Sequence, residues 1–360
     1  MDKIVKTVLN LPVLSATKFP VGLQSKMEDL IRAMKNKSTE VCRIAICGQG
    51  GSGKTTLAKA IYHQIHGRFT EKIFIEDIRK VSGIRGDRGL LEQLLSDVLK
   101  TMVETGTFEM GRRMIRERLY GKRVLIVLDD APPLYVSLLW ECRHWYGGGS
   151  VIIITKTHDL QMISQADSIF QVELMNTDES LELLSWHAFR EAKPKEDYLF
   201  LAERVVSYCG GLPLALEVIG SYLYERTKRE WNRVLLKLKK IPEHIKFDQI
   251  LKISFDGLCN QMEKDLFLDL CCSFVGKGRA YVTKILNGCG IDADSGIRVL
   301  IQRSLIRVNN NKKLGMHPLL RQMGRKIIGE IIDEDMKLAI VRTFLIYGFE
   351  TSFGSGCFLM

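Results

Sequence analysis

Three absences narrow what this chain can be. No apolar run approaches the roughly 18 residues a membrane-crossing helix needs, and the first residues lack the long apolar core of a secretory signal. The expectation is a soluble, intracellular protein of the cytoplasm, with the nucleus as a second compartment and no membrane span. Cys-x-x-Cys pairs are also absent, which argues against zinc. The cysteines number nine, and Cys42, Cys47, Cys209, Cys271 and Cys272 lie inside apolar runs, as free thiols of a reducing compartment do. Finally, no long block of one charge occurs. The net charge of +10 is moderately basic and could help binding to nucleic acid or an anionic membrane, but without a block of one sign nucleic acid is not the expected partner. Lys237, Lys239 and Lys240 form the densest basic cluster and read as a solvated helix end. What remains is an ordinary globular composition, 46% hydrophobic and 26% charged, over 360 residues, enough for two or three domains.

The most informative stretch is Arg43–Cys47 followed by Gly48-Gln49-Gly50-Gly51-Ser52-Gly53-Lys54-Thr55-Thr56. A short apolar run bounded by glycine predicts a buried strand, and Leu57, Ala58, Ile61 and Ile65 recur at helical spacing after it. Strand, Gly-x-x-x-x-Gly-Lys-Thr loop and helix together form the context of a phosphate-binding P-loop. Gly48, Gly50, Gly51 and Gly53 let successive N–H groups, including those of Ser52 and Thr56, converge on one anion. The helix N-terminus adds to that field. Lys54 is expected at the β- and γ-phosphates, and the Thr55 hydroxyl on Mg²⁺.

Arg123–Leu128 runs into Asp129 and Asp130, the pattern of a buried parallel strand whose carboxyl end meets solvent. Ligands of open α/β sheets bind at those ends. In a P-loop protein this is the Walker B strand. Asp129 is expected to hold Mg²⁺ and Asp130 to orient an attacking water, although Asp-Asp-Ala-Pro-Pro also suits a plain strand end and turn. Val151–Thr155 predicts another buried strand, with Thr155, Lys156 and Thr157 placed to sense a γ-phosphate.

The predicted fold class is α/β: a parallel P-loop NTPase sheet, then a helical domain, then a winged-helix domain. Residues 1–19 read as a linker and 20–175 as the nucleotide-binding domain, with strands at 43–47, 72–76, 124–130 and 151–155 and helices near 24–34, 90–99 and 114–119. Residues 82–89 read as loop. Residues 176–246 predict four helices, broken by Cys209-Gly210-Gly211-Leu212-Pro213, a glycine C-cap and an N1 proline. Residues 247–333 predict helices over 248–258, 261–274, 280–287 and 293–303, a hairpin across Asn309-Asn310-Asn311, and a helix opened by His317-Pro318. Residues 334–360 show no clear period.

Taken in order, Pro20–Leu23, the P-loop, Val124–Asp130, Gly149–Thr155, Gly210–Leu216, Leu251–Leu258 and Met316–Leu320 resemble the NB-ARC module of plant intracellular immune receptors. The absence of Trp after the aspartate pair fits the branch with an N-terminal Toll/interleukin-receptor domain and C-terminal leucine-rich repeats. The resemblance spans roughly residues 20–333. It implies a STAND/AAA+-like switch that holds ADP when closed, exchanges it for ATP and then oligomerises. It places Val21 and Leu23 near the adenine, Pro213 against the base and His317 at the β-phosphate, with Lys54, Thr55 and the loop amides on the phosphates and Asp129 on Mg²⁺.

Two positions depart from the family pattern. Thr157 stands where the family has arginine, leaving Lys156 beside it, a point charge without a bidentate fork. Pro318 stands where it has aspartate, which predicts an altered preference for the closed ADP state. Neither a Toll-type domain nor a leucine-rich repeat is found in the sequence, so a truncated receptor, or an adaptor acting with full-length receptors or with itself, is expected. Two other readings are a turnover P-loop ATPase or kinase and a winged-helix nucleic-acid-binding NTPase. The first needs a catalytic arginine, and residues 280–303 are too apolar for the second. On the switch reading any ATPase activity is slow.

Overall fold

A computed structural model describes residues 17–35, 40–76, 92, 95–96, 108–130, 142–156, 166–241, 246–309 and 311–331. The chain divides into two compact units, Met1–Glu179 and Ser180–Met360.

In the first unit, helix α1 (Leu23–Lys35) precedes strand β1 (Cys42–Cys47), helix α2 (Lys54–Ile65), strand β2 (Glu71–Ile75), helix α3 (Phe108–Leu119) and strands β3 (Val124–Asp129), β4 (Val151–Lys156) and β5 (Ser168–Gln171). The five strands form one parallel sheet in the order β2-β3-β4-β1-β5. Aliphatic residues fill both faces of the central strands. Ile44, Ile46, Leu125, Val127 and Ile153 pack with Leu57, Ala58 and Ile61 of α2 and Met27 and Leu30 of α1. Their alternates Ile126, Leu128, Ile152 and Ile154 are equally buried, as a parallel sheet covered on both faces requires.

Pairing of Cys47 with Lys156 and of Asp129 with Thr155 brings the carboxyl ends of β1, β3 and β4 to one edge, the edge from which the glycine loop leaves. Strand β5 was not anticipated. It is four residues long and alternates half-buried with exposed side chains, so it carries no apolar run. What holds it is specific: the Arg43 guanidinium donates two hydrogen bonds to Asp167 at 2.7 and 3.0 Å, fixing the start of β5 beside β1. Of the helix expected over 90–99, Glu92, Leu95 and Ser96 are described and are helical, with the Ser96 hydroxyl donating to the Glu92 carbonyl at 2.7 Å. The loop at 82–89, the N-terminal lead-in up to residue 16 and the tail from 334 lie outside the described residues.

The second unit is helical. After α4 (Thr177–Ala188), which starts at its edge, come α5 (Leu199–Cys209), α6 (Pro213–Leu223), α7 (Lys228–Lys239), α8 (Lys246–Asp256) and α9 (Gln261–Asp269). Helix α9 runs on without a break into a π-helical segment over Leu270–Phe274, so the helix expected over 261–274 is present with its last residues wound wider. Helices α10 (Arg279–Gly288) and α11 (Ala293–Gln302), the antiparallel pair β6 (Arg307–Val308) and β7 (Leu314–Gly315), and α12 (Pro318–Ile331) complete it. The hairpin is present with strands shorter than expected.

Close helix contacts depend on glycine. A Cβ at Gly324 of α12 would fall 2.4 Å from Cys271 Sγ. Helix α7 opens with a capping box in which the Thr227 and Glu230 side chains and backbones bond reciprocally. Its Trp231 is fully buried and stacks on Phe189.

Candidate nucleotide site

Between β1 and α2 the loop is closed tightly. A Cβ on Gly48 would lie 2.9 Å from Ser52 Oγ and 3.1 Å from the Val172 carbonyl, so only glycine fits. Gly53, the N-cap of α2, sits at φ 95°, a left-handed conformation that turns the chain into the helix with its amides facing the loop. Ser52 Oγ is buried and makes no hydrogen bond among the described residues. An unpartnered buried hydroxyl one residue before the N-cap of a helix has the donor chemistry that suits a phosphate.

Lys54 opens α2 and folds back over the loop, its ammonium donating to the carbonyls of Gly48 at 2.7 Å and Gln49 at 2.8 Å. Burial lowers its pKa below the usual lysine value, opposed by Asp129 and Asp130 and then Cys47. A cation stripped of water in this way gains most from an anion placed beside it. The Thr55 hydroxyl reaches both carboxylate oxygens of Asp129, at 2.9 and 3.0 Å. A hydroxyl and a buried carboxylate in contact across the P-loop and the β3 end are a fitting oxygen pair for Mg²⁺.

Sequence reasoning noted Thr155 only as one of several polar groups at a strand end. In the structure it is the organiser of that end. Its buried hydroxyl donates to Asp129 Oδ1 and accepts from the Asp130 N–H at 3.1 Å. Asp130 itself takes a left-handed backbone at φ 54°, a conformation that costs a non-glycine residue energy and is held here by that bond. The signal that finds Thr155 is the Asp129–Thr155 strand register, which sequence does not display.

The remaining expected residues are distributed as follows. Leu23 is buried in the α1–α2 core and Val21 is half-buried one residue before Gly22. Gly22 takes a left-handed backbone, and a Cβ there would meet the carboxylate of Glu179, which accepts the Asn176 N–H while the Asn176 side chain caps α4 by accepting the Glu179 N–H. Gly50, Gly51 and Thr56 belong to the loop and the first turn of α2. Lys156 ends β4 at the register of Cys47, and Thr157 lies outside the described residues.

Pro213 and His317 belong to the second unit. Pro213 is half-buried and occupies the first turn of α6 after the left-handed Gly210 and Gly211. His317 precedes α12, accepting the Leu319 N–H on Nδ1 at 3.2 Å, while the exposed Pro318 starts the helix. Among the described residues no cluster of three or more His, Cys, Asp or Glu could hold a metal, and no helix is long and apolar enough to cross a membrane.

Residues 23–193 match the NB-ARC domain, and residues 260–331 match the winged-helix domain of Roq1-like disease resistance proteins. The chain is 40% identical over 314 residues to disease resistance protein RPV1 of Vitis rotundifolia, covering 86% of this chain and 22% of the relative. It is 35% identical to TMV resistance protein N of Nicotiana glutinosa, covering 86% of this chain and 27% of the relative. It therefore spans about a quarter of the length of these curated relatives. A signal transduction ATPase with numerous domains (STAND) and a tetratricopeptide-repeat sensor, from Pyrococcus horikoshii, has a similar fold. Its TM-score is 0.54 at 16% identity, over 90% of this chain and 48% of that one.

Proposed function

The chain belongs to the NB-ARC family of plant disease resistance proteins, and on that premise we propose that it is an ADP/ATP-binding switch of immune signalling rather than a turnover enzyme. The observation that carries the reading is the join between the P-loop and β3: Thr55 bonded to Asp129 beside a desolvated Lys54. The loop amides, Lys54 and the Ser52 hydroxyl would hold the phosphates, and Thr55 and Asp129 would hold Mg²⁺. The metal supplies neutralisation of phosphate charge when bound. Asp130 is the candidate for orienting a water, and Lys156 for meeting a γ-phosphate. Val21 and Leu23 would flank the adenine.

The working division is a nucleotide-binding domain over 20–175, a helical domain over 176–246 and a winged-helix domain over 247–333. A nucleotide biases such domains only by touching them unequally in two arrangements. Pro213 and His317 are the contacts proposed to differ, the first against the base and the second at the β-phosphate. Full-length receptors or further copies of the chain are the proposed partners, and the cytoplasm the proposed compartment.

The test is kinetic. Fluorescent ADP and ATP analogues should bind at one site and dissociate slowly, with hydrolysis well below about 1 per second. Multiple-turnover hydrolysis at or above about that rate would overturn the switch reading in favour of an ATPase.

A further inference from the structure

Helix α7 has a face that the nucleotide switch does not explain. Its apolar side, Trp231, Val234, Leu235 and Leu238, is buried. Its exposed surface carries Lys228, Arg229, Arg233, Lys237 and Lys239, with Lys240 as C-cap, against Glu230 as the helix's single carboxylate. Glu230 is already occupied by Arg226 at 2.6 Å and by the cap at Thr227. Lys228 makes a long, exposed contact with Asp197 at 3.4 Å. Arg229, Arg233, Lys237, Lys239 and Lys240 have no carboxylate partner among the described residues. Half of the chain's net charge of +10 is thus gathered on a single helix and its cap.

The arrangement is more specific than a solvated helix end. Residues 229, 233, 236 and 240 follow i, i+4, i+7, i+11 spacing and so form one ridge on the side away from the core. That ridge reads Arg, Arg, Leu, Lys. Leu236 stands in its middle 61% exposed, among cations and with no apolar cover. Near the amino end of the helix, three residues from the Asp197 that Lys228 touches, Phe200 is 69% exposed and lies under the Arg204 guanidinium.

We propose that the exposed face of α7 is a docking surface for an anionic lipid bilayer, with Arg229, Arg233 and Lys240 at the headgroups and Leu236 entering the interface. A convex cationic ridge with an apolar residue at its crest suits a lipid headgroup layer, where charge attraction and apolar insertion add. It suits nucleic acid less well. The ridge carries no aromatic residue for base stacking, and an exposed leucine gains nothing against a phosphate backbone. Each basic residue near an anionic leaflet strengthens binding several-fold, so three together with one inserted leucine give weak, salt-sensitive, reversible attachment.

The experiment is vesicle flotation of the whole chain at 0.15 M NaCl. Neutral phosphatidylcholine vesicles are compared with vesicles containing about 30% phosphatidylserine, and a DNA duplex at equal anion concentration serves as competitor. The expected result is binding to the phosphatidylserine vesicles only. The triple variant Arg229→Glu, Arg233→Glu, Lys240→Glu should weaken it at least about 100-fold, and Leu236→Ser should weaken it about 5-fold at unchanged salt dependence. All four side chains face away from the core, so circular dichroism should confirm that both variants fold. Failure of the wild type to float with phosphatidylserine, equal flotation with neutral vesicles, or flotation of the folded triple variant at wild-type strength would each overturn the proposal. So would complete displacement from vesicles by the duplex, which would make the ridge a nucleic-acid surface.

Discussion

Thr155 shows how much a single hydroxyl decides. It links the side chain of Asp129 to the backbone of Asp130, so one residue of β4 sets the aim of the proposed metal carboxylate and holds a left-handed strand end. Thr155→Val keeps the shape and removes both bonds. The expected outcome is a Mg²⁺ requirement for nucleotide retention that rises by about 10-fold, with Thr155→Ser close to wild type, read by titrating metal against a fluorescent nucleotide. Lys54 and Asp129 were legible beforehand because the P-loop and Walker B patterns name them by spacing. Ser52 and Thr155 were also named, but the lone buried hydroxyl of the one and the two bonds of the other were not readable, since a strand register and a buried lone donor exist only once the chain has folded.

At the scale of elements, the caps and glycine contacts make their own predictions. Arg226 and the Thr227 cap hold the Glu230 carboxyl down to about 2 from an ordinary 4.5. A lowered pKa in the fold means the contribution is complete above about 4.5 and is lost as pH falls toward about 2. Glu230→Gln should therefore cost about 0.5 kcal/mol at neutral pH, a small value because the group is partly exposed, and the gap from wild type should close on acidification. Urea melts at pH 7 and pH 3 measure it. Gly324→Ala pushes a methyl into Cys271 and Phe267 inside a packed core and should destabilise by about 1–3 kcal/mol in the same assay. Helix and strand assignments followed the apolar periods closely in these regions. Strand β5 was missed for the opposite reason: an ion pair, Arg43 with Asp167, anchors four residues that have no apolar pattern to read.

For the whole molecule, the parallel sheet and the order of P-loop, β3 and β4 could be read from the sequence because buried strands are continuous aliphatic runs. The widening of the helix after Asp269 into a π-helical segment could not, because the apolar pattern through Leu270, Cys271 and Phe274 does not separate the two windings. The central claim is that the loop ahead of Lys54 holds the diphosphate of an adenine nucleotide. The direct measurement is to denature purified protein and identify the nucleotide released, beside a folded Lys54→Ala control. The account predicts about one ADP per wild-type chain and almost none from the variant. No nucleotide from wild type prepared with ADP and Mg²⁺, or equal amounts from both proteins, would contradict it.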